Sequence, residues 1–177
     1  DSWKTGGAPT WMTGTYDPQL DLLYWCAGNP APDFDGKNRL GDNLYSNSVL
    51  ALDPDNGKLR WHYQFTPHDL HDWDANEVPV LLDREFQGKK RKLLVQANRN
   101  GFYYVLDRET GEFLLGEPFA RMTWASGIGS DGRPQVLPDT APTEEGNYQC
   151  PGVGGATNWM APAYNPDTGL LSIVLRE

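Results

Sequence analysis

The chain has 177 residues, the size of one domain with a sizeable core, and carries a formal net charge of −9. That charge argues against a nucleic-acid partner, because a phosphate backbone needs a basic surface. No apolar run approaches the ~18 residues of a membrane span, and Cys26 and Cys150 follow no metal-site spacing, so no zinc site is expected.

With 19 Gly, 14 Pro and 7 Trp, the composition points to short aromatic-rich strands joined by many turns, an all-β pattern. The polar segment Trp3-Lys4-Thr5-Gly6-Gly7-Ala8-Pro9-Thr10-Trp11 leads into a strand–turn–strand unit, Tyr16-Asp17-Pro18-Gln19-Leu20-Asp21-Leu22-Leu23-Tyr24-Trp25. Gly28-Asn29-Pro30-Ala31-Pro32 follows and opens an irregular stretch over residues 30–43. The unit returns as Leu52-Asp53-Pro54-Asp55-Asn56-Gly57-Lys58-Leu59-Arg60-Trp61. A second polar segment comes next, Thr66-Pro67-His68-Asp69-Leu70-His71-Asp72-Trp73-Asp74-Ala75-Asn76. The basic run Lys89-Lys90-Arg91-Lys92 reads as a solvated turn before the strand-like Leu93-Leu94-Val95. A third polar segment, Gln96-Ala97-Asn98-Arg99-Asn100-Gly101-Phe102-Tyr103-Tyr104, precedes the third unit, Leu106-Asp107-Arg108-Glu109-Thr110-Gly111-Glu112-Phe113-Leu114. Residues 125–158 are again irregular, and the fourth unit is Tyr164-Asn165-Pro166-Asp167-Thr168-Gly169-Leu170-Leu171.

In each unit the Asp or Asn before the turn can accept backbone N–H bonds, and a Gly (missing in the first copy) supplies positive φ. The recurrence suits propeller blades of ~40–45 residues with insertions between them. The two irregular stretches are long for connectors and read as functional loops. Asp1-Ser2-Trp3 lacks an initiator Met and residues 170–177 end on a strand-like run, so both ends read as cut. The expectation is therefore a partial propeller domain over residues 1–177, covering roughly three to four blades and leaving open strand edges.

These segments, in this order, resemble the methanol dehydrogenase and type I alcohol dehydrogenase family of quinoproteins, over essentially the whole chain. Ala51-x-Asp53-x-x-x-Gly57-Lys58-x-x-Trp61 also resembles the tryptophan-docking motif of propellers that use pyrroloquinoline quinone (PQQ). The resemblance implies an eight-bladed β-propeller with PQQ near its axis. It implies that Trp11 forms the floor under the quinone, that Arg99 hydrogen-bonds the reactive quinone oxygen, and that Asn158 contacts PQQ. It implies a metal held by Asn29, Asp72 and Asp74, with Asp72 as the base that takes the alcohol proton while hydride moves to the quinone. Read physically, Asp72 and Asp74 at strand spacing would share one face ~6.5–7 Å apart, and a cation between them would relieve their repulsion. An aspartate two residues after the base marks the lanthanide-using branch of the family, so a lanthanide ion is expected, with Ca²⁺ as the alternative. Hard oxygen donors suit either cation, and the added carboxylate balances the third positive charge.

His62, His68 and His71 look like a metal set but read as structural: His62 in a strand, His68 orienting the Asp72 loop, and His71 near the substrate entrance. The family's metal-binding glutamate and adjacent cysteine pair would lie before Trp3, so the piece alone is not expected to be active. By the same resemblance Cys150 has a disulfide partner beyond Glu177, while Cys26 is buried and free. The resemblance further implies a small alcohol as substrate, a c-type cytochrome as electron acceptor, a periplasmic setting and, for the full-length protein, a possible homodimer. Two alternatives are a non-catalytic propeller scaffold for protein–protein interaction, and a sugar or polyol dehydrogenase using the same cofactor.

Overall fold

The computed structural model describes residues 6–176, and every regular element within them is a strand. Strands β1 (Thr15–Asp17), β2 (Leu22–Cys26), β3 (Ser48–Leu52) and β4 (Leu59–Gln64) form one antiparallel sheet in sequence order. Strands β5 (Val80–Phe86), β6 (Lys89–Ala97), β7 (Phe102–Asp107) and β8 (Phe113–Pro118) repeat the same meander. Two hairpins complete the chain, β9 (Ala125–Ile128) with β10 (Pro134–Val136) and β11 (Ala163–Asn165) with β12 (Leu170–Ser172). The blades expected from sequence are thus two complete four-stranded sheets and two hairpins.

One turn chemistry is used four times. The side-chain oxygen of Asp17 accepts from the backbone N–H of Gln19, that of Asp53 from Asp55, that of Asp107 from Glu109 and that of Asn165 from Asp167, all at 2.9–3.1 Å. Such Asx-turns need a left-handed residue to close. Gly57, Gly111 and Gly169 supply it, and in the first copy, which lacks the glycine, Asp21 takes φ 51 instead. The first two units prove to be consecutive hairpins of one sheet, so their spacing is not the blade repeat. The blade repeat relates β3–β4 to β7–β8, which carry a matching bulge, between Ala51 and Leu52 and between Val105 and Leu106.

The basic run is strand, not turn. Lys89 to Lys92 open β6, and the turn lies just before it at Gln87 and Gly88, both with positive φ. Across β5, Lys90 faces Glu85 and Lys92 faces Asp83, so cross-strand charge pairing favours the extended register.

The two sheets pack face to face through Tyr24, Val49, Ala51 and Phe65 on one side and Leu94, Phe102, Tyr104 and Leu106 on the other. Trp61 docks laterally on the second sheet: a Cβ placed on Gly111 would lie 2.7 Å from its Cε3. Arg108, 3% exposed, ties the two sheets together by donating to Asp17 Oδ2 and Asp83 Oδ1, while Tyr24 donates its hydroxyl to the Arg108 carbonyl. The other face of the second sheet is covered by Leu171, with Arg84 donating to the Tyr164 hydroxyl and the Pro166 carbonyl.

Antiparallel order has a direct consequence for the loops. The connections β2–β3, β4–β5 and β6–β7 all leave from the same end of the sheets, as does the segment entering β1. The three polar segments of the sequence lie on these connections.

Candidate functional site

At that shared end, Asp74 is the point of convergence. It lies 8% exposed and accepts hydrogen bonds from three separate segments. Trp11 Nε1 donates to Oδ2 at 3.2 Å, Arg99 Nη1 donates to Oδ2 at 2.9 Å, and the Asn29 backbone N–H donates to Oδ1 at 2.9 Å. Gly28 makes this possible, because a Cβ there would sit 1.9 Å from Asp74 Oδ1.

Arg99 is 6% exposed and projects from a tight turn between β6 and β7. Asn98 Oδ1 accepts from Asn100 N–H, Gly101 N–H donates back to the Asn98 carbonyl, and Gly101 takes φ 93. The arginine also donates from Nη2 to the Val153 carbonyl at 2.8 Å, and Gly155 packs on its stem.

Asn29, 7% exposed, donates its amide to Asp33 Oδ1 and to the Pro30 carbonyl, which leaves its Oδ1 without a hydrogen-bond donor among the described residues. Trp11 is anchored by its ring nitrogen yet remains 45% exposed. An aromatic surface fixed at one edge and open elsewhere can take the face of a planar molecule.

Asp72 is not on a strand. It lies in the β4–β5 connection with φ 60, so strand periodicity does not bring it beside Asp74; the folding of the loop does. Its carboxyl makes no hydrogen bond or ion pair with another described residue. Burial pushes its pKa up to about 6, with Asp33, Asp74 and Asp69 adding to the rise and Arg99 opposing it. Asp33, Asp69, Asp72 and Asp74 thus set four carboxylates against the two guanidiniums of Arg99 and Arg39. A cation fits that imbalance, and the free Asn29 Oδ1 and the unpartnered Asp72 carboxyl are donors of the right type. Among the described residues no group of three or more His, Cys, Asp or Glu side chains could hold a metal ion by itself. Two carboxylates and an amide need further donors from elsewhere.

Asn158 makes no hydrogen bond to this cluster among the described residues, although its loop reaches Arg99 through Val153, Gly155 and Ala156. It donates to the Gly154 carbonyl and accepts from Trp159 N–H, both within its own loop. The histidines are structural. His62 packs edge-on against Tyr45, and His71 lies 4.3 Å from Trp73. His68 bonds the Gly41 carbonyl instead of orienting the Asp72 loop, a task that falls to Asp69, whose carboxylate accepts from His71 N–H and Trp73 N–H. Asp33, Gly28 and Asp69 were not singled out as site residues in the sequence. The Asp69 signal was a carboxylate three residues before Asp72 in a turn-rich segment. Cys26 is buried and free, beneath Gln96 Nε2 at 3.4 Å, and Cys150 is free.

Residues 1–117 match the family described as glucose/ethanol/alcohol dehydrogenase, beta-propeller domain, PQQ. The chain belongs to this PQQ dehydrogenase family. It is 45% identical over 185 residues to the quinoprotein alcohol dehydrogenase PedH of Pseudomonas putida, covering 100% of this chain and 31% of that protein. A lanthanide-dependent methanol dehydrogenase of Methylorubrum extorquens is 40% identical over 185 residues, covering 98% of this chain and 31% of the relative. Among solved structures, a europium-containing methanol dehydrogenase superposes with a TM-score of 0.92 at 38% identity, over 97% of this chain and 30% of that one. The chain therefore spans less than a third of the length of these relatives.

Proposed function

We propose that the protein to which this segment belongs oxidises a small alcohol to its aldehyde, using PQQ and a bound metal ion. The observation that carries the reading is the meeting of Trp11, Asn29, Asp74 and Arg99 at one end of two sheets, beside a half-buried Asp72 carboxyl that no described residue hydrogen-bonds. When bound, PQQ supplies the two-electron hydride acceptor and the metal ion a Lewis acid.

The chain's own residues supply the rest. Trp11 offers the surface on which a flat ring system rests. Arg99, held by Asp74 and the Val153 carbonyl, presents a fixed positive charge where negative charge develops during hydride transfer. Asn29, Asp72 and Asp74 hold the cation. Asp72 takes the alcohol hydroxyl proton as hydride leaves the carbon, so the substrate loses one proton and one hydride and becomes the aldehyde.

Asp74 favours a trivalent lanthanide over Ca²⁺, since it adds a carboxylate to the cation's surroundings; the relatives named as lanthanide-dependent or europium-containing support that reading. Asn158 as a cofactor contact, a c-type cytochrome as electron acceptor, a periplasmic setting and a homodimer belong to the same reading of the whole protein. Two further relatives, quinohaemoprotein alcohol dehydrogenases of Pseudomonas putida and Comamonas testosteroni at 44% and 40% identity, support a haem partner in general terms. The direct test is Asp72→Asn in the full-length protein with PQQ and metal bound. Turnover should fall ~10²–10⁴-fold while the cofactor stays in place; near-native turnover would refute the assignment. A non-catalytic scaffold would have no use for this polar cluster.

A further inference from the structure

Asp72 carries the proposed chemistry, yet no hydrogen bond from a described residue fixes its carboxyl. Its orientation is therefore set by its backbone, which is left-handed at φ 60, a conformation that residues with a Cβ seldom adopt. What holds that backbone is the carboxylate three residues earlier. Asp69 is 1% exposed, accepting His71 N–H on Oδ1 at 2.9 Å and Trp73 N–H on Oδ2 at 2.8 Å. The two oxygens of one carboxylate thus clamp the amides on both sides of Asp72.

Asp69 is itself tethered. Arg39, 4% exposed, donates from Nη2 to the Asp69 carbonyl at 2.6 Å. The same guanidinium donates to the Pro32 carbonyl from Nε and Nη2 and to Asn43 Oδ1 from Nη1. One arginine thereby joins the loop that follows Asn29 to the loop that carries Asp72. Trp73, the residue after Asp72, is fully buried and donates its ring N–H to the Gly152 carbonyl, which closes the segment from the other side.

We propose that Asp69, anchored by Arg39, is the positioning residue that holds Asp72 in its reactive orientation. The proposal rests on the reading of Asp72 as the base. Asp69 acts on Asp72 through the backbone, its through-space repulsion of the Asp72 carboxylate being the weakest of the charge effects on that group. A carboxylate is required because two N–H donors need two acceptor oxygens. An asparagine would keep the size but turn its NH₂ group against one of the two amides.

The test uses the full-length protein with PQQ and metal bound, ethanol as substrate and a dye as electron acceptor. Asp69→Asn should lower kcat about 10–100-fold, the scale of a small misplacement of a reacting group, with KM and the absorbance of bound cofactor unchanged. In an Asp72→Asn background the same substitution should alter the residual turnover by less than about twofold, because its only route to the chemistry has been removed. Native kcat in Asp69→Asn, or a loss that multiplies that of Asp72→Asn, would overturn the proposal. Native turnover in Asp72→Asn alone would instead refute the base assignment, a separate failure. If Asp69→Asn loses its cofactor, Arg39→Lys decides. A lowered kcat at unchanged KM, absent from the Asp72→Asn background, supports the positioning role, and an unchanged kcat overturns it.

Discussion

Arg99 Nη1 lies 2.9 Å from Asp74 Oδ2, and the two side chains are only 8% and 12% exposed. A pair this buried is costly to break from one side, since the remaining charge stays out of water without a partner. Arg99→Met is therefore expected to destabilise the metal-free full-length protein by about 3–5 kcal/mol. Lanthanum should recover part of that loss by taking over the compensation of Asp74. Denaturant midpoints with and without La³⁺ measure both effects, and a variant as stable as the native protein would disprove the first.

Asp74 is also the residue that should set metal preference. Metal-free full-length protein reconstituted with PQQ is expected to be more active with La³⁺ than with Ca²⁺. Asp74→Ala should erase most of that advantage, because one negative charge leaves the cation's surroundings. Equal activity with both metals in the native protein would contradict the idea.

Protons compete with the cation at Asp72. Its folded pKa is raised to about 6 by burial, so between the ordinary carboxyl value and about pH 6 the metal-free fold binds more protons than the unfolded chain. From this group, stability falls as pH rises through that window, and cation binding expels the proton. La³⁺ affinity should thus be flat above about pH 6 and weaken by up to tenfold per unit below it. Titration by calorimetry from pH 4.5 to 7.5 reads the bend, and Asp72→Asn should remove it.

His71 works in the opposite direction. Burial against Trp73 lowers its pKa from 6.5 to about 4, so it stays neutral when folded. Over that window the unfolded chain binds the extra proton, and the His71 contribution to stability is lost as pH falls from about 6.5 towards 4. His71→Gln should flatten that slope; comparing denaturant midpoints of the two proteins at pH 4.5 and 7 isolates it from Asp72.

Blade docking can be separated from turn strain with two glycines. Gly57 and Gly111 both have left-handed φ, 70 and 79, but a Cβ on Gly57 meets open space whereas one on Gly111 meets the Trp61 ring at 2.7 Å. Gly57→Ala should cost about 1–2 kcal/mol, the penalty of the left-handed backbone alone. Gly111→Ala should cost clearly more, and Trp61→Ala should bring its cost close to that of Gly57→Ala. Equal losses for the two glycine variants in the native background would show that Trp61 does not press on the second sheet.

Much of this was legible in the sequence, because it is local chemistry. The Asp-x-x-x-Gly units predict hairpins, since an Asx-turn and a left-handed residue act within five positions whatever lies around them; Asp21 shows that even the missing glycine only changes which residue takes that conformation. The polar segments holding Trp11, Asn29, Asp74 and Arg99 fall between strands, and antiparallel order sends those connections to one end. Tertiary structure alone decided the rest. It placed the first two hairpins in one sheet, drew Lys89 to Lys92 into β6 opposite Glu85 and Asp83, and set Asp72 in a left-handed loop instead of a strand. It also paired Arg99 with Asp74, cleared Gly28 for that carboxylate and gave Asp69 the two amides around Asp72. The physical reason is one of range. Turn bonds form between near neighbours in the chain, whereas the charge compensation of a buried carboxylate depends on segments that only the packing of two sheets brings within hydrogen-bond distance.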